Sequence, residues 1–159
     1  MSDTTFSKGT QFGGDNDFKV KHGGNIRYSF PVDDTTLFLE GNCLELHSDG
    51  QVQLSTAQNT KLTAITSTRR SPLADMENDQ TIGSGKATVI IDRAIVETKE
   101  LTSGAVFAIN SKVYQDEAGH WTNTQPGTDT RVFGVALAAA VANAGDILTM
   151  DYYGAQGPA

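Results

Sequence analysis

What most limits the fold of this chain is the shortness of its apolar runs. After Thr36 they read LFLE, CLELH, QVQLS, KLTAIT, KATVII, AIVET, AVFAIN, KVYQD and DILTMDYY. Each alternates apolar with polar residues or is rich in β-branched ones, and each ends before a helix of ordinary length is complete. Gly41-Asn42, Asp49-Gly50, Gly83-Ser84-Gly85, Gly104, Gly119 and Gly127 punctuate them, supplying the backbone freedom that tight turns need. The rhythm predicts an all-β domain over 36–159, a small β-sandwich or barrel-like fold. Asp49-Gly50, between Leu44/Leu46 and Val52/Leu54, is a hairpin signal, and Glu117-Ala118-Gly119 between Tyr114 and Trp121 is a looser second one.

The alanine block in RVFGVALAAAVANAGDILTMDYYG, 131–154, tests this reading, because alanine is the best helix former. Gly134 and Gly145 leave ten residues between them with no Lys, no Glu, no N-cap and no polar face, too little for a stable helix. The expectation is a narrow strand over 132–138, then a small-residue loop ending at Gly145-Asp146, with room for one helical turn over 139–143. The chain also carries a possible internal echo. GNCLELHSDGQVQLS, KLTAIT and GKATVIID have the same order of parts as GAVFAINSKVYQDEAGHWTN, RVFGVALA and GDILTMDY.

Residues 1–35 differ. Gly9, Gly13, Gly14, Gly23 and Gly24 break every period, and Val20, Ile26 and Val32 are the only branched aliphatic residues. Yet the segment holds Phe6, Phe12, Phe18, Tyr28 and Phe30, a heavy aromatic load for a disordered tail. It reads as an extended N-terminal arm whose five rings bind a partner, the alternative being that they cover the protein's own sheet edge.

The formal charge of −7, from 19 acidic and 12 basic residues, repels phosphate backbones and argues against a nucleic-acid partner. The first residues lack a signal peptide's basic head and apolar stretch, and no run is long enough to span a membrane; the expectation is a soluble protein made in the cytoplasm. Cys43 is the single cysteine, so no internal disulfide forms and a small buried hydrophobe is its expected role.

Catalytic and cofactor motifs fail on inspection. TIGSGKATVII lacks the first glycine and the hydroxyl residue of a phosphate loop and runs into a strand. Asp75, Glu77 and Asp79 alternate as in a calcium loop, but Gln80 and Lys86 stand where its glycine and closing glutamate belong. His22, His47 and His120 have no metal-ligand spacing with one another or with Cys43. Ser103 has no local base, Asp33-Asp34 reads as a turn, and Trp121 with Tyr114 suits a cross-strand pair more than a sugar-binding face. No enzyme activity, cofactor or metal is expected.

From about Leu39 to Gly154 the chain resembles the capsid decoration, or cement, proteins of tailed bacteriophages, in their small β-rich form. GNCLELHSDGQVQLS, GKATVIIDRAIVE, TSGAVFAINSKVYQDEAGHWTN and above all RVFGVALAAAVANAGDILTMDYYG carry the resemblance. It implies a structural virion protein that binds the outer surface of an expanded head, often as a homotrimer, and bridges neighbouring copies of the major capsid protein. A tail or fibre module and a carbohydrate-binding β domain are the alternatives.

Overall fold

Alternation of buried and exposed side chains sets the first sheet. In the strand Ala94–Thr98, residues 94, 96 and 98 are buried while Ile95 and Glu97 are half-buried, the signature of a sheet with one face in a core. The computed structural model describes residues 18–33, 36–72, 81–82 and 85–159. It is an all-β domain, with no α-helix among the described residues.

One six-stranded sheet runs in the order β1 (Phe18–Gly23), β9 (Ala94–Thr98), β15 (Leu148–Tyr152), β13 (Gly134–Ala136), β11 (Lys112–Gln115), β12 (Trp121–Thr122). A five-stranded sheet runs β2 (Arg27–Pro31), β8 (Lys86–Ile90), β5 (Thr63–Thr66), β3 (Cys43–Leu46), β4 (Val52–Leu54). Two short ladders join β10 (Val106–Phe107) to β14 (Ala140–Val141) and β6 (Ser71–Pro72) to β7 (Thr81–Ile82). Adjacent strands in the sheets are antiparallel.

The sheets share one core. Cys43, Ile65 and Ile90 of the five-stranded sheet meet Val96, Val113, Ala136, Leu148, Met150 and Tyr152 of the other, with Trp121 and Phe133 in edge contact at 5.6 Å. The opposite face of the five-stranded sheet carries a second cluster, Val32, Phe38, Leu44, Val52, Ala64, Ala87 and Val89. Every residue of β5 is therefore buried, which is why its sequence, TAIT, shows no polar face.

The internal echo appears as topology. The order β2-β8-β5-β3-β4 in one sheet matches β9-β15-β13-β11-β12 in the other: a leading strand pairs with the last of four, and the other three follow in the same order. The first arm of the second hairpin is Lys112–Gln115, which carries Tyr114 ahead of the Glu117-Ala118-Gly119 turn as expected.

The described part of the N-terminal segment is woven into both sheets. β1 pairs along β9 with Phe18 opposite Thr98 and Gly23 opposite Ala94, and β2 pairs along β8 with Arg27 opposite Ile90 and Pro31 opposite Lys86. The register is the same on both sides of the corner at 23–26, with one bulge between Val20 and His22. A single bent ribbon thus passes from one sheet to the other, as strands do at sandwich corners. Gly23 makes the bend: its φ is +74°, and a Cβ there would lie 2.5 Å from the Arg93 carbonyl oxygen. Asp92 fastens it by accepting the Asn25 and Ile26 amides, each at 3.0 Å. Phe18 and Val20 pack against the shared core and Phe30 against the second cluster, so 18–31 contributes to the core.

The alanine block begins as a strand, as expected, but the expected strand over 132–138 is shorter, and a second short strand stands where the loop was expected. Residues 134–136 form β13, 140–141 form β14, and a single 3₁₀ turn spans Ala142–Ala144. Gly134 is required by contact, because a Cβ would stand 2.5 Å from the Asp151 carbonyl oxygen on β15.

Candidate interaction surface

Two uncharged stretches, 101–111 and 132–145, are brought together as one antiparallel ribbon. Val106 faces Val141 and Val113 faces Gly134 in unchanged register, and the Asn110 amide donates to the Ala136 carbonyl at 2.8 Å between them. Phe107 and Ala140 turn into the core. Val106 and Val141, being directly opposite, share the other face, at 55% and 38% exposure. Ile109 is 64% and Leu137 43% exposed. Ala108, Ala138 and Ala139 are exposed between them. The end of the ribbon is pinned by Asn143 Oδ1, which accepts the Gly104 amide at 2.9 Å, and by the Ala142 amide bonded to the Ala105 carbonyl. An exposed apolar face held rigid in this way is the kind of surface that buries against a partner.

Of the five aromatic residues expected to bind a partner, the three described ones lie on two different sheets. Phe6 and Phe12 lie outside the described residues. Phe18 is half-buried on the edge of the six-stranded sheet. Tyr28 and Phe30 are together on the edge of the other, with ring centroids 4.7 Å apart, and Tyr28 is 59% exposed. The Asp33-Asp34 turn is described only at Asp33, and the acidic loop of Asp75, Glu77 and Asp79 lies outside the described residues.

Groups with chemical potential elsewhere are tied into the fold. Arg131 Nε and Nη2 donate to the two Asp129 carboxylate oxygens at 3.0 and 3.1 Å. Its Nη1 donates to the carbonyls of Lys61, Gln156 and Gly157, and Nη2 to the Gln58 carbonyl and the Thr63 hydroxyl. Burial acts to raise the Asp129 carboxyl pKa, but the bonds from Arg131 and Gln115 outweigh it and hold the group below the usual carboxylate range. Burial pushes the Cys43 thiol up to about 12, although Ser55 Oγ lies 2.7 Å away. Burial also raises the Tyr152 hydroxyl; it accepts the Ile65 amide at 3.1 Å and donates to the Ile90 carbonyl at 2.9 Å, joining one sheet to the other. Glu45, buried, accepts the Thr56 amide and hydroxyl and lies 2.8 Å from His47 Nε2.

Trp121 is fully buried, donating its indole N–H to the Gly41 carbonyl at 2.7 Å, and Tyr114 is 8% exposed. The two rings therefore offer no sugar-binding platform. They are not directly opposite either, since Tyr114 faces Thr122 and Trp121 faces Gln115. No group of three or more His, Cys, Asp or Glu suited to a metal ion occurs among the described residues, and no described helix is long and apolar enough to cross a membrane. No protein-family model and no curated protein matches the chain.

The small-residue loop expected ahead of Gly145-Asp146 falls on this ribbon, whereas no sequence motif marks Val106, Ile109 and Leu137. The available signal was the absence of charge across both stretches. The Arg131 hub carries no motif either; its signal is a lone Asp129–Arg131 pair beside a long uncharged run.

Proposed function

We propose that this protein is a capsid decoration protein, a structural component that binds the outer surface of a tailed-phage head and bridges neighbouring major capsid protein subunits. The observation that carries the reading is the exposed uncharged ribbon at 106–109 and 137–141. One of its two strands comes from the 131–154 stretch in which the resemblance to such proteins is strongest; Val106 and Val141 are paired on a ladder, with Ile109 and Leu137 exposed beside it. Tyr28 and Phe30 on the β2 edge are a second contact region, compatible with one decoration protein touching two subunits. The reading includes association of copies, with a homotrimer on the head, and places the protein on the virion exterior after synthesis in the host cytoplasm.

Co-sedimentation with expanded heads assembled from the major capsid protein of the same genome tests it. The wild type pellets with heads, and imaging shows added density at three-fold or quasi-three-fold positions. The pair Val106→Glu and Ile109→Glu weakens binding by about 2 kcal/mol or more, the scale of interface anchors, without lowering the melting temperature. Failure of the wild type to bind expanded heads, or undiminished binding by the double variant, overturns the reading.

A further inference from the structure

Beside the apolar ribbon lies a cleft of a different character, about 280 Å³ in volume. Its lining includes Thr102, Ser103, Asp116, Asn123, Thr124 and Gln125, with Ala105 and Pro126 as an apolar wall. We propose that this cleft binds a single neutral sugar residue, and that the protein has a glycan-binding activity independent of the capsid reading.

The chemistry of the lining selects the ligand class. No lysine or arginine lines the cleft, so an anion such as a phosphate would find no countercharge and would meet the Asp116 carboxylate. That carboxylate stands alone, and a hard divalent cation takes six or more oxygens, usually several of them charged. Both Asp116 oxygens are already positioned: Oδ2 accepts the Thr102 hydroxyl at 2.9 Å and Oδ1 the Glu117 amide at 2.7 Å. Each keeps capacity for another donor, which a sugar hydroxyl supplies. Asn123 Oδ1 accepts the Val106 amide at 3.3 Å, which leaves its NH₂ group as a donor. Among the described residues, the Thr124 hydroxyl and the Gln125 amide have no protein partner. Fixed planar acceptors and donors around an apolar wall match the alternating hydroxyl and C–H surface of a pyranose. The volume lies just below the usual range for ligand pockets, suited to one ring and too small for a longer segment held within it.

Saturation-transfer NMR on the full chain tests the proposal with methyl glycosides of glucose, galactose, mannose and N-acetylglucosamine, and with inorganic phosphate as the charged probe. At least one glycoside binds saturably at millimolar concentration, and phosphate does not. Asn123→Ala and Gln125→Ala each weaken that binding by about tenfold, the cost of one lost polar contact. Lys19→Ala, at an exposed position on β1 and away from the cleft, leaves it unchanged. Absence of binding by all four glycosides, binding that survives both cleft substitutions, or equal binding of phosphate overturns the proposal. Because the readout needs no heads, its failure is distinct from failure of the capsid reading.

Discussion

At the scale of single residues, a guanidinium ties distant segments of this fold together. Arg131 satisfies four backbone carbonyls from two separate segments, 58–61 and 156–157, besides Asp129. Planar donors spread over five N–H groups can do this and an ammonium cannot. Arg131→Ala is expected to cost about 3–5 kcal/mol, since it leaves Asp129 buried without its partner, and Arg131→Lys recovers only part; urea unfolding measures both. Asp129 gives this hub a pH signature. Its folded-state pKa lies below the unfolded value of about 3.9, so its contribution is complete above that pH and is lost as the pH falls through the depressed value. Urea midpoints measured downward from about pH 5 should therefore fall, and Asp129→Asn should flatten that fall. Tyr152→Phe removes a hydroxyl that bonds across the two sheets and leaves the Ile65 amide and Ile90 carbonyl without it. The expected loss is about 1–3 kcal/mol, read from guanidinium melts.

At the scale of elements, the ribbon formed by 18–31 against 86–98 decides what the N-terminal segment does. Its strands cover the edges of β8 and β9, and they protect their own outer edges with Lys19, Lys21, a bulge and Pro31, features that discourage edge-to-edge pairing. Truncation before Phe18 and truncation after Pro31 should therefore differ. Removing 1–17 leaves the described strands in place and tests Phe6 and Phe12 as head-binding residues. Removing 1–31 also strips Phe18, Val20 and Phe30 from the cores and should cost about 3 kcal/mol or more, from the loss of buried apolar side chains; calorimetry of the two truncations makes the comparison. Equal melting temperatures for both would show that the ribbon does not support the sandwich. At the corner, Gly23→Ala combines a strained φ with a backbone clash and is expected to destabilise by more than about 1 kcal/mol.

At the scale of the whole molecule, the ribbon's two stretches are uncharged themselves and are bordered by charge: Asp146 accepts the Val141 amide at 2.9 Å, and Leu137 shares a cleft with Arg93 and Asp151. The chain carries −7, yet the ribbon proposed to meet the head has no ionisable residue from 101 to 111 or from 132 to 145. Contacts made by uncharged groups are little affected by screening, whereas charge pairing weakens as the Debye length shrinks. Head binding should accordingly change by less than about threefold between low and moderately high salt, measured by sedimentation over a sodium chloride series. A steep loss with salt would place the contact on the charged surface instead.

The sequence by itself determined the class of fold and its local turns. Alternation in AIVET and turn residues at Asp49-Gly50 and Glu117-Ala118-Gly119 act over a few residues, and the strands and hairpins stand where those signals put them. Gly134 likewise signalled against a helix, for a reason the structure sharpens into contact with the Asp151 carbonyl. Only the tertiary structure decided which faces are covered. Phe18 and Tyr28 look alike as aromatic residues in a glycine-rich segment, but one packs against the shared core and the other remains exposed. Trp121 and Val106 are apolar residues on short strands, but the first is enclosed between sheets and the second faces outward. Alternation tells which side chains share a face of a strand. What lies against that face depends on pairings between segments far apart in the chain, such as 18–31 with 86–98, and on single hubs such as Arg131, whose carbonyl partners at 58–61 and 156–157 no local pattern specifies.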